Sequence, residues 1–135
     1  AIISWLSVWI VGTIKSGPAA RRMVLAREAA NKSFAAGRFD EALHQYRELL
    51  STNNRSGGIT ELSAHHGMAQ CYQSMNRLPE AEECYKKAVA TAKVFKSQKE
   101  FIACIKDYAA LLRQQGRDEE ADEQEALLKT DKNVS

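Results

Sequence analysis

Gly37-Arg38-Phe39-Asp40-Glu41-Ala42, Asn76-Arg77-Leu78-Pro79-Glu80-Ala81 and Gly116-Arg117-Asp118-Glu119-Glu120-Ala121 are three versions of one phrase. Its closing alanine recurs at 42, 81 and 121, at intervals of 39 and 40 residues. A fixed period of this size points to a helical repeat array. Each phrase reads as one helix ending and another beginning. Gly or Asn at its head adopts the left-handed conformation that closes a helix. Acids or proline then occupy the first turn of the next helix. There a carboxylate favours the helix dipole, and proline's missing N–H would have had no partner anyway. The small alanine lets two helices cross closely. Tyr46 and Tyr85, four residues after it, share its helix face and fill the space beside it. Arg38, Arg77 and Arg117 read as solvent-exposed punctuation of the turns.

Outward from the phrases, the frame extends in both directions. The first unit runs Ala26-x3-Ala30-x3-Phe34 into its phrase and on through Tyr46-x2-Leu49. The second carries Ala69-x2-Tyr72 before its phrase and Tyr85-x2-Ala88 after it. The third carries Ala109-x2-Leu112 before and Leu128 after, with Glu125 at the place of the aromatic. Ser56-Gly57-Gly58 reads as the loop between units 1 and 2. Tyr85 to Phe95 reads as an over-long second helix in unit 2. Asp122, Glu123, Gln124 and Glu125 make the last helix polar, as the end of an array requires.

The composition agrees. The chain has 135 residues, one domain's worth, with 44% apolar and 27% charged residues, too apolar for disorder. Two prolines and seven glycines are too few for an all-β sandwich. Three cysteines cannot all pair within one chain, which favours a reducing compartment, cytoplasmic or organellar. The net charge of +2 hides an asymmetry: residues 1–38 hold six basic residues and one acid, a net of +5, so the remainder carries −3. No block of five or more like charges and no basic–aromatic interleaving occurs, so nucleic acid is not an expected partner.

Residues 1–14, Ala-Ile-Ile-Ser-Trp-Leu-Ser-Val-Trp-Ile-Val-Gly-Thr-Ile, are apolar on every side of a helix rather than along one stripe. As a helix they would span about 21 Å, short of the roughly 30 Å hydrocarbon core. Three readings stand: the end of a membrane anchor flanked by Lys15, Arg21 and Arg22, a segment buried against the repeats or a partner, or a signal-type apolar region. Trp5, Leu6, Trp9 and Ile10 are the residues expected to make the membrane or partner contact. Ser16-Gly17-Pro18 separates this segment from the repeats. The division is therefore 1–17 as an apolar segment, 18–128 as the repeat domain, and 129–135 as a tail.

The repeat frame resembles the tetratricopeptide repeat family. Unit 1 supplies Ala30, Gly37, Phe39, Ala42 and Tyr46 of that pattern, unit 2 supplies Ala69, Tyr72, Ala81, Tyr85 and Ala88, and unit 3 supplies Ala109, Gly116 and Ala121. The family's usual period is shorter, so this spacing implies longer helices or loops, and Tyr108 to Ala121 resembles the longer units of kinesin-light-chain-like arrays. The resemblance implies an all-α, right-handed helical-repeat solenoid of three helix-turn-helix units. It also implies a protein or peptide partner held on the concave surface made by the first helices. On the family frame Arg27, Glu28, Asn31, His66, Gln70, Gln73, Lys106, Asp107, Arg113 and Gln114 face that surface. Of these, Arg27, Asn31, His66, Gln70, Lys106 and Arg113 are the candidate groove residues.

Some family members bind the acidic carboxyl end of chaperones through a stretch with Lys and Asn four residues apart. Arg27-x3-Asn31-x2-Phe34-x2-Gly37 is similar to it. Two of five clamp positions are kept, since Gly67, Ala103 and Asp107 replace the others.

Nothing in the chain spells out catalysis. There is no phosphate loop, nucleophile elbow or His-Glu-x-x-His helix. His44, His65, His66, Cys71, Cys84 and Cys104 fall in neither a C-x2-C nor an H-x3-H spacing. The expectation is a non-enzymatic protein–protein interaction module with no metal, cofactor or small-molecule substrate. It would be a scaffold or assembly subunit attached through residues 1–14, or alternatively a peptide-binding co-chaperone or targeting receptor.

Overall fold

Helices follow one another wherever the sequence places a turn phrase or a loop. The computed structural model describes residues 18–52, 58–95 and 98–134. Among these are six helices: α1 (Pro18–Ala35), α2 (Phe39–Thr52), α3 (Gly58–Ser74), α4 (Leu78–Phe95), α5 (Gln98–Gln114) and α6 (Asp118–Val134). Each packs on the next, and the first helices α1, α3 and α5 also touch in succession. The apolar segment 1–14 lies outside the described residues. So do Ser56 and Gly57, whereas Gly58, read with them as loop, opens α3 and is buried. α4 is the long second helix of unit 2. α6 runs on to Val134, so the stretch from 129 read as a tail is helical through that residue.

The three turns are built alike. Gly37, Asn76 and Gly116 have φ of 80°, 60° and 74°. At each, the N–H of the left-handed residue donates to the carbonyl three back, and the following arginine's N–H donates to the carbonyl five back: Arg38 to Ser33 at 2.9 Å, Arg77 to Tyr72 at 2.8 Å, Arg117 to Leu112 at 2.9 Å. These bonds satisfy the orphan carbonyls of the ending helix. The same arginines then cap the helix that begins, their carbonyls accepting from the N–H of Ala42, Ala81 and Ala121 at 3.0–3.1 Å. Their side chains pair with the glutamate three residues on, Glu41, Glu80 and Glu120. Arg38 and Arg77 are exposed, as read from the sequence. Arg117 corrects that reading: it is half-buried and reaches back to Glu82 of unit 2 at 2.8 Å.

So short a turn brings paired helices close. Ala42, Ala81 and Ala121 are completely buried, and so are Ala30, Ala69 and Ala88, with Ala109 almost so. Around these small residues the larger ones interlock: Tyr46, Leu49, Tyr72, Tyr85, Tyr108, Leu111 and Leu112 in the main core, and Leu62, Phe101, Cys104 and Ile105 in a second cluster between units 2 and 3. Helix α3 lacks a single apolar stripe because it contacts α1, α2, α4 and α5. Its closest approach is at Gly67, where a Cβ would overlap the ring carbons and hydroxyl of Tyr46.

Substituting Ala81→Leu adds bulk where there is none to spare and is expected to cost about 1–3 kcal/mol. Gly67→Ala is expected to cost a comparable amount, because the buried Tyr46 ring has no open space to move into. Thermal melts followed by circular dichroism measure both. An unchanged midpoint for either variant would refute the close approach at that residue.

Candidate binding groove

The succession α1, α3, α5 presents one continuous face, and the side chains on it are mostly polar. On α1, Asn31 is exposed and its amide oxygen accepts from the Tyr46 hydroxyl at 2.5 Å. Arg27 lies half-buried one turn earlier. On α3, His66 and Gln70 share a helix face, and both reach Asp107 of α5. The His66 Nε2–Asp107 Oδ2 distance is 2.6 Å, and Gln70 Nε2 donates to the same oxygen at 3.4 Å. Gln73 accepts from the Tyr85 hydroxyl at 2.7 Å and donates to Gln114 of α5 at 3.4 Å. These contacts cross between units 2 and 3 and draw their first helices together.

Between them lies an open depression of about 210 Å³. It is lined by Phe34 from α1, Gln70, Gln73 and Ser74 from α3, Asp107 and Ala110 from α5, and Tyr85 from α4. Tyr85 is almost completely buried, stacked on Tyr108 at 6.0 Å and tilted against His66 at 6.1 Å. Burial, and then the charge of Asp107, push its phenol well above the ordinary range, so it stays a protonated hydrogen-bond donor.

The candidate residues read from the sequence thus divide. His66 and Gln70 are brought together with Asp107 at the centre. Arg27 and Asn31 lie along α1. Lys106 is exposed beside Asp107, with no hydrogen bond or ion pair among the described residues. Arg113 turns instead toward α6, where Asp122 at 2.8 Å and Glu125 at 3.0 Å hold it. Glu125 stands where units 1 and 2 have tyrosine, so an exposed ion pair closes the last unit where the others use a ring. Phe34, Ser74, Tyr85 and Ala110 escaped the sequence reading as groove residues. Tyr85 belongs to a second helix, where its place in the repeat gives it a packing role. Trp5, Leu6, Trp9 and Ile10 lie outside the described residues.

A family model described as a tetratricopeptide repeat matches residues 23–94. The chain belongs to the tetratricopeptide repeat family. The match spans α1 to near the end of α4, and α5 and α6 add a further pair with the same turn. No curated protein and no solved structure matches the chain.

The reactive side chains of this tetratricopeptide array sit in its core. Burial pushes the Cys71 thiol up to about 11 and that of Cys104 to about 12, and raises Cys84 as well, so at neutral pH all three are thiols rather than nucleophilic thiolates. Among the described residues no group of three or more His, Cys, Asp or Glu could hold a metal ion.

His65 lies about 100° around α3 from its neighbour His66. Its Nδ1 is buried with no hydrogen-bond partner, and Nε2 lies 3.8 Å from Glu61. Burial lowers its pKa below the ordinary 6.5, with Glu61 opposing and Lys87 assisting. As pH falls through 6.5 the unfolded chain therefore takes up this proton before the folded one, and stability declines toward the lower folded value. Urea denaturation at pH 7.5 and 5.5 is expected to show a smaller loss of stability on acidification for His65→Gln than for the parent chain. Equal losses would show that this imidazole does not govern the slope.

Proposed function

We propose that this protein is a non-catalytic interaction module. It holds an extended segment of a partner protein across the concave face of α1, α3 and α5, as a scaffold or assembly subunit attached through residues 1–14. The observation that carries this is the row of hydrogen-bonding side chains from Asn31 through Gln70 and Gln73 to Asp107 and Gln114, set around an open depression. Such groups can meet the backbone and side chains of an extended segment. The family supports it at the coarser level, since tetratricopeptide repeats take protein or peptide partners. The buried, protonated cysteines offer no nucleophile, which supports a binding role over catalysis.

A receptor for acidic carboxyl ends has less support. Tyr46 covers the backbone at Gly67, where that chemistry needs an asparagine side chain, and Asp107 places a negative charge where it needs a positive one. Attachment through residues 1–14 rests on their composition. They would expose several large apolar side chains unless a bilayer or partner covered them. No described helix is itself long and apolar enough to cross a membrane.

Two variants test the proposal. Residues 18–135 retain all six described helices, so deleting 1–17 is expected to preserve the helical circular-dichroism signal per residue while releasing the protein from its membrane or complex. Unfolding of the truncated chain would defeat the attachment reading. Gln70→Ala with Gln73→Ala is expected to lose, in affinity capture read by mass spectrometry, partners that the parent chain retains. Full retention by this double variant would defeat the groove reading.

A further inference from the structure

The hydrogen bonding around the depression has a direction. A carboxylate only accepts, so His66 and Gln70 must both turn N–H groups toward Asp107 Oδ2. That leaves the Gln70 side-chain oxygen turned away from the carboxylate. No hydrogen bond among the described residues ends on Asp107 Oδ1. The Tyr85 hydroxyl donates to Gln73 Oε1, and one Gln73 amide N–H donates to Gln114 Oε1. Asp107 Oδ1 and the Gln70 side-chain oxygen are therefore left as acceptors for an occupant.

The charge points the same way. Asp107 is the one charged side chain lining the depression, and its side chain is 41% exposed. Of the basic residues on this face, Arg27 of α1 and Lys106, about 100° around α5 from Asp107, do not line the depression, while Arg113 is held by the acids of α6. Beside the carboxylate, Phe34 and Ala110 give an apolar wall. A carboxylate with a free oxygen suits a cation, and a planar guanidinium with several donors better than an ammonium. The volume of about 210 Å³ falls below the roughly 300–1,000 Å³ of pockets that enclose a whole small molecule. It is the size for one side chain.

From this geometry we propose that the depression between α1, α3 and α5 is a subsite for one basic side chain of the bound segment, arginine above lysine, with Asp107 as its counter-ion and Phe34 and Ala110 as its wall. The inference rests on the groove reading above and adds the chemistry of the partner: a segment with a basic residue at its centre rather than an acidic end.

The test uses the full chain at pH 8 and two probes. The first is the pair N-acetyl-arginine amide and its uncharged isostere N-acetyl-citrulline amide, titrated against isotope-labelled protein. The arginine compound is expected to shift the backbone amide signals of Gln70, Gln73, Asp107 and Ala110, and the citrulline compound to leave them in place. Equal shifts, or none, overturn the proposal. The second is an array of random decapeptides. Bound peptides are expected to share one arginine or lysine, and Asp107→Asn to weaken them about tenfold or more, as loss of a charge-assisted contact does.

Because Asp107 also joins units 2 and 3, Ala110→Leu serves as a second variant. It fills the depression from an exposed position without touching the polar network, and is expected to weaken the same peptides with the circular-dichroism spectrum unchanged. Decapeptides that bind with no basic preference overturn the subsite and leave the groove reading standing. An array on which nothing binds removes both.

Discussion

Everything in this array hangs on a turn of three residues that ends one helix and starts the next. One residue enters the left-handed region, and the arginine after it uses its N–H to finish the old helix and its carbonyl to begin the new one. No slack is left in the chain, so consecutive helices must lie side by side at the distance the turn dictates. That distance admits an alanine methyl group and little more, which is why Ala42, Ala81 and Ala121 are completely buried. The tyrosines four residues along then take up the space that opens as the helices diverge. The core is a consequence of the turn rather than its cause.

The same constraint places the functional face. Since each unit is a tightly closed pair, its second helix is taken up in packing against its partner and the next unit. The first helices are left to line up, and α1, α3 and α5 bring residues far apart in the chain within hydrogen-bonding range. His66 meets Asp107 across 41 residues of sequence. The polar row is thus assembled by repetition: each unit contributes a few side chains from equivalent helical positions, and the groove is their juxtaposition.

This division explains what could be read in the sequence. The helices were legible because their signals are local: a residue suited to positive φ, an acid-rich or proline-bearing first turn, an alanine at fixed offset. The small residues at 30, 69 and 109 were legible for the same reason. The long period was legible too, and α4 carries part of it as extra turns. Partner choice between equivalent positions was not. Arg113 and Gln73 occupy matching places, yet Gln73 meets Tyr85 and Gln114 while Arg113 is drawn to the acids of α6, because unit 3 has Glu125 instead of a ring. Arg117 looked like Arg38 and Arg77, but it has Glu82 of the preceding unit within reach. The involvement of Tyr85 and Phe34 in the groove depends on how far neighbouring helices splay, which no single unit encodes.

Helix α3 touches four other helices, whereas among the described residues α6 packs on α5 alone. In a linear array, where each element is secured by its neighbours, this produces a gradient of protection. Amide hydrogens of α3 are the last to exchange with solvent, and opening events start at α6 and work inward. A segment lying across α1, α3 and α5 would span that gradient, joining the guarded middle of the molecule to its looser end. Its binding would be read out as slowed exchange in α6, beyond the residues it touches.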